Sequence, residues 1–96
     1  MEEERFDVNN TQVQLVMVIK LQQLQREAIP ALSYRNLEDF LEEVKWRRKH
    51  PSSLHEAVND VLSVQPDAII RFLSRQAVIQ GQRAALADFS DLIGGN

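Results

Sequence analysis

The residues best equipped for chemistry stand together in Lys45-Trp46-Arg47-Arg48-Lys49-His50. Four permanent cations and a histidine surround the only tryptophan of the chain. Cations at that density grip phosphates, and an indole among them can stack on a nucleobase. The run also has a purely structural explanation, because basic side chains in a last helical turn oppose the partial negative charge of a helix C-terminus. Trp46 divides the two explanations. In a regular helix it points away from the apolar stripe Leu37, Leu41 and Val44, among Asp39 and Glu43. Exposed there, it marks a partner surface; covered by the first helix or the tail, it is a core residue. Lys45, Trp46, Arg47, Arg48 and Lys49 are the candidate RNA- or partner-binding residues.

Other chemistry finds little material. The chain has no cysteine, which removes thiolate ligands, Cys nucleophiles and disulfides together. His50 and His55 are the only histidines and lack companions for a metal site. Glu42-Glu43 reads as a solvated helix face before it reads as an acid–base pair. There is no Gly-rich phosphate loop and no nucleophile–base arrangement. The expectation is a non-enzymatic protein without metal or cofactor. A formal net charge of −3 gives no global attraction to nucleic acid, so any such role rests on a local patch. The longest apolar run, residues 15–19, is far shorter than the ~20 residues of a membrane span. The N-terminal Met1-Glu2-Glu3-Glu4 is acidic where a signal peptide is basic, and a cytoplasmic location is expected.

The elements that must position these residues are all helical. Residues 1–8 read as a mobile acidic arm, 9–93 as a single helical domain, and 94–96 as a frayed end. Asn9-Asn10-Thr11 offers cap chemistry for a first helix to about Glu27, with Val13, Val16, Met17, Leu21, Leu24 and Ala28 on one stripe. β-branched residues between Val13 and Ile19 also suit a strand, but the following Gln22-Gln23-Leu24-Gln25 favours helix. Leu15, Val18 and Ile19 fall on the other side of that helix. Either the helix is touched from two sides, or these three form a self-association surface and a homodimer. Pro30 ends the segment. A second helix is expected after Asn36, with Asp39 in a capping-box place, running to Pro51 with Leu37, Phe40, Leu41 and Val44 inward.

Ser53-Leu54-His55-Glu56 is a capping box of the S-x-x-E form, and it opens a third helix that ends near Ser63. Pro66 suits the first turn of a fourth, with Ile69, Ile70, Phe72, Leu73 and Ala77 buried and Gly81 as its end. Ala85, Leu86, Phe89, Leu92 and Ile93 keep helical spacing for a short fifth helix, an amphipathic tail that could dock on a partner. The third and fourth helices resemble a helix-turn-helix in spacing, but Asp67, Arg71, Ser74 and Arg75 make a thin recognition face, and a packed hairpin explains them as well.

A Trp with flanking basic residues, then Leu54-His55-Glu56-Ala57-Val58-Asn59-Asp60-Val61-Leu62-Ser63-Val64, then Phe72-Leu73, resembles the ComN-type post-transcriptional regulators of Firmicutes. The resemblance covers the central third of the chain best. It implies a small cytosolic regulator of competence-gene messages that acts through RNA or through a regulatory or cell-division protein. The combined expectation is an all-α, compact four- to five-helix bundle with a helix 3–helix 4 hairpin. Its function is non-enzymatic post-transcriptional regulation by binding RNA or a regulatory protein. The alternative is a protein-interaction adaptor or self-associating helical module that binds no nucleic acid.

Overall fold

In the computed structural model, which describes the backbone of residues 5–94 and the side chains of residues 5–81, helix α1 spans Thr11–Glu27. It begins where the cap residues place it. Asn10 Oδ1 accepts from the backbone N–H of Gln12 at 2.9 Å and of Val13 at 3.2 Å, satisfying two donors that the helix leaves free. It ends at Ala28, and the Ala28 and Ile29 N–H groups both donate to the Leu24 carbonyl.

The inward stripe of α1 is Val13, Met17, Lys20 and Leu24. Lys20 is the unexpected member. Its aliphatic stem lies in the core while its ammonium donates to the Leu62 carbonyl at 2.9 Å. Leu62 is the last residue of α3 (Leu54–Leu62), so the cation meets the negative end of that helix. Val16 and Leu21 are half-buried, and Ala28 is exposed rather than on the stripe.

Residues 5–8 do not form a free arm. Val8 lies in the core and Phe6 packs against it. Gln14 Nε2 donates to the Val8 carbonyl at 2.9 Å, and Asp7 Oδ1 accepts from the Asn9 N–H at 2.9 Å. The expectation of a mobile arm fails from Phe6 onward because Phe6 and Val8 bury apolar surface that the acidic composition of residues 2–4 conceals.

Helix α2 spans Tyr34–Phe40 and starts earlier than expected. The capping box is Ser33 with Asn36: Ser33 Oγ accepts from the Asn36 N–H at 3.1 Å, and Asn36 Oδ1 accepts from the Ser33 N–H at 3.0 Å. Asn fills the place that Glu or Gln usually takes, so the residue pattern does not announce the motif. The helix passes into a π-helical turn, Leu41–Lys45, and stops there.

Helix α3 is capped by Ser53 as expected, with Ser53 Oγ accepting from the Glu56 N–H at 3.1 Å. Glu56 turns not to Ser53 but to Ser52, whose hydroxyl and N–H both donate to Oε2. Ala57 and Val61 carry its buried face, Leu54 and Val58 are half-buried, and Leu62 is exposed. Its principal partner is α1, while α4 finds its principal partner in α2 across an edge-to-face Phe40–Phe72 pair at 5.7 Å.

Helix α4 runs over Pro66–Gly94, through Gly81 and without a separate fifth helix. Ile69, Phe72 and Leu73 hold it to the body, whereas Ile70, Ala77, Val78 and Ile79 are exposed or nearly so. The radius of gyration is 17.1 Å against about 13 Å for a spherical chain of this length. The tail side chains expected to dock on a partner, Leu86 to Ile93, lie outside the described side chains. The described residues contain no strand, and no helix among them is long and apolar enough to cross a membrane.

Gly81 is exposed, has no positive φ, and a Cβ built on it meets nothing within 4 Å. Gly81→Ala is therefore expected to raise helicity by circular dichroism and to favour α4 locally by about 0.5–1 kcal/mol. A loss of helicity would show that the chain breaks at this residue.

Candidate functional site

The basic run sits where the π-turn ends, and that turn decides what its residues can do. The Trp46 N–H donates to the Leu41 carbonyl at 2.7 Å, five residues back instead of four. A regular helix advances about 100° per residue and would swing Trp46 away from Leu41. The wider turn takes up one extra residue, so Trp46 returns to the inner face and Val44 is left outside.

The side chains follow this exchange: Trp46 is 2% exposed and Val44 51% exposed. The indole Nε1 donates to Asp60 Oδ2 at 2.9 Å, tying the end of the π-turn to α3. Burying a side chain of this size is worth roughly 4–6 kcal/mol in area terms, whereas half-exposing a valine forfeits about 1–2. The exchange therefore favours the π-turn. It also corrects the sequence expectation for both residues: Val44 leaves the inward stripe, and Trp46 has no free face on which a base could stack. The indole is a positioning element beneath the basic run.

The cations themselves are exposed. Lys45 closes the π-turn, while Arg47, Arg48, Lys49 and His50 follow it outside any helix. The helix-dipole explanation of the run thus applies to Lys45 alone. Arg47 reaches a groove of about 390 Å³ between the π-turn and α4, together with Val44, Phe72, Arg75 and Ile79. Arg71 and Arg75 line its continuation beside Phe40, Val44 and Ala68. Glu43, also in the groove, accepts from Gln76 Nε2 at 3.2 Å. The described residues hold one ion pair, Arg35–Asp39 at 3.5 Å, and it involves none of these cations.

Residue spacing alone does not reveal that Arg71 and Arg75 join the run, because the fold brings them there through Phe40 and Phe72. Lys49 has a different neighbour. The Glu56 carboxyl is held below its ordinary value by the Ser52 hydroxyl, then the Ser52 N–H, with the charge of Lys49 adding to them against slight desolvation. No three His, Asp or Glu side chains among the described residues are placed to hold a metal ion.

An all-helical bundle bearing an arginine-lined groove is what fold and surface together define. A family model described as post-transcriptional regulator matches residues 6–87, and the chain belongs to that family. The match begins at Phe6, the first of the described side chains that packs on the core. It agrees with the family suggested by residues 46–77 and does not distinguish the ComN type within it. No curated protein and no solved structure matches the chain.

Deleting Val44 shortens the π-turn to an ordinary helical turn and leaves Trp46 four residues after Leu41, still on the inner face. The variant is expected to keep blue-shifted fluorescence that a soluble quencher does not reach; a red shift would refute the five-residue closure. The two hydrogen bonds from Ser52 lower the Glu56 carboxyl pKa, so this latch is complete above the ordinary Glu range and is lost as pH falls through the lowered value. The Ser52 amide resonance should move with that titration, and one that stays fixed through it would show that the latch does not form.

Proposed function

We propose that this chain acts as a post-transcriptional regulator by binding RNA along its phosphate backbone, through Lys45, Arg47, Arg48, Lys49, Arg71 and Arg75. The observation that carries this reading is the meeting of Arg47, from the basic run, with Arg71 and Arg75 of α4 along one groove, while Lys45, Arg48 and Lys49 stand exposed beside Arg47 in the chain. None of them is paired with a carboxylate among the described residues. In a chain of net charge −3 such a collection is local, and it offsets the repulsion that the rest of the protein exerts on a polyanion. Trp46 contributes by fixing the start of the basic segment against Asp60, not by stacking. With no exposed aromatic in the groove, recognition rests on phosphate and shape more than on base identity. No catalytic step is assigned, and the cytoplasm is where such a regulator would meet its messages.

A second reading is favoured by the floor of the groove. Val44 and Ile79 are exposed apolar side chains that a phosphate chain does not use, and they suit an acidic amphipathic helix of a regulatory or cell-division protein.

Fluorescence anisotropy with single-stranded RNA at several salt concentrations separates the two, with competence messages as the first RNAs to try on the ComN-type resemblance. Arg47→Ala with Arg48→Ala should weaken binding about tenfold or more and flatten the salt dependence by roughly 0.7 for each phosphate no longer neutralised. Val44→Ser with Ile79→Ser should leave RNA binding unchanged. Absence of binding at low salt, or indifference to the arginine changes, would sink the RNA reading and leave the protein partner.

A further inference from the structure

We propose that the outer face of α1 pairs with the same face of a second copy, antiparallel, about a twofold axis close to Val18 and Ile19. This surface is distinct from the groove and does not depend on it.

The outer face of α1 lacks charge. From Thr11 to Gln25 the helix carries one charged residue, Lys20, and that side chain is turned inward to the Leu62 carbonyl. The exposed surface over those fifteen positions is therefore neutral. It is also apolar at its centre, where Leu15 is 62%, Val18 42% and Ile19 62% exposed, with Gln12 and Gln22 at the two ends. A surface helix normally turns charge to water on the side opposite its buried stripe. Here both sides of α1 are apolar, and the neighbours of the bundle cover only one of them.

The absence of charge selects the occupant. A twofold interface sets each residue near the axis against its own copy, so a charge there repels itself and a neutral face does not. RNA would find no cation on this face to neutralise its phosphates. A membrane surface would find no outward Lys or Arg between Arg5 and Arg26. The remaining match is a neutral, apolar stripe bordered by amides, and the chain itself supplies one.

Direction follows from the ends of the helix. A parallel pair sets Arg26 beside Arg26 and brings two positive N-termini together. An antiparallel pair centred between Val18 and Ile19 sets Arg26 against Thr11, Leu15 against Gln22, and the helix dipoles head to tail. The interface is small. A 17-residue helix is about 26 Å long, and one face of it buries less than the roughly 800 Å² per partner of a standard interface. The dimer is expected to be reversible, with Kd on the order of 10–100 µM.

Sedimentation velocity on the full chain from about 5 to 500 µM, a range set around that Kd, should show a rise from monomer to dimer. Ile19→Asp should remain monomeric throughout while its thermal unfolding is unchanged, since the residue is exposed. The natural absence of cysteine allows a second, direct measurement. Under mild oxidation, a mixture of Leu15→Cys and Gln22→Cys proteins should form heterotypic disulfide dimers, and neither protein should cross-link alone. A monomer at the highest concentration, or an Ile19→Asp protein that still dimerises, would overturn the proposal. Homotypic cross-linking of Gln22→Cys would overturn the antiparallel arrangement.

Discussion

The hydrogen bond from the Trp46 N–H to the Leu41 carbonyl governs what lies on either side of it. By closing five residues instead of four, it sends a large aromatic side chain inward and a small aliphatic one outward. The indole then reaches Asp60, which fixes the π-turn to α3 and sets where the chain leaves helical geometry. Arg47, Arg48 and Lys49 are presented on a non-helical segment as a result, and Val44 becomes part of a groove wall instead of the core. A regular helix over the same residues would have left the indole in water and placed the cations on a helix end.

How much of this is legible in the residues depends on whether the signal is local. Asn10, Ser53 and Pro66 bound their helices as expected because caps and first-turn prolines act within three or four residues. The family resemblance likewise rests on a contiguous stretch. The π-turn is not legible, because its benefit comes from the core and from Asp60, fourteen residues away. Gly81 is a false stop: a glycine that costs a helix only about 1 kcal/mol does not end one whose neighbours are good helix formers. Phe6 and Val8 are masked by the acidic residues before them. Arg71 and Arg75 are visible as residues, but not as members of the site.

Charge is distributed by placement more than by number. Lys20 sets its charge inside, on a helix terminus, and the one ion pair of the described residues, Arg35–Asp39, leaves the groove cations to solvent. The acidic balance of the whole chain therefore says little about any one face. One face gathers arginines, while another, along α1, has no charge at its surface. The two faces invite different chemistry, and nothing in either requires the other.

Helix α1 rests mainly on α3 and less on the α2 that follows it. Much of the cover of its core stripe is thus encoded well downstream, beyond the basic run, while Tyr34 of α2 already reaches Met17. A ribosome emitting the chain from its N-terminus releases α1 and α2 before their chief cover exists. Until α3 emerges, the apolar stripe of α1 has only the partial cover that α2 gives it. Such an order raises the sequence separation of the pairings in an otherwise local helical fold and slows its assembly relative to helices stacked in sequence. It also makes the segment from Ser53 to Leu62 the point in synthesis at which the domain first becomes able to close.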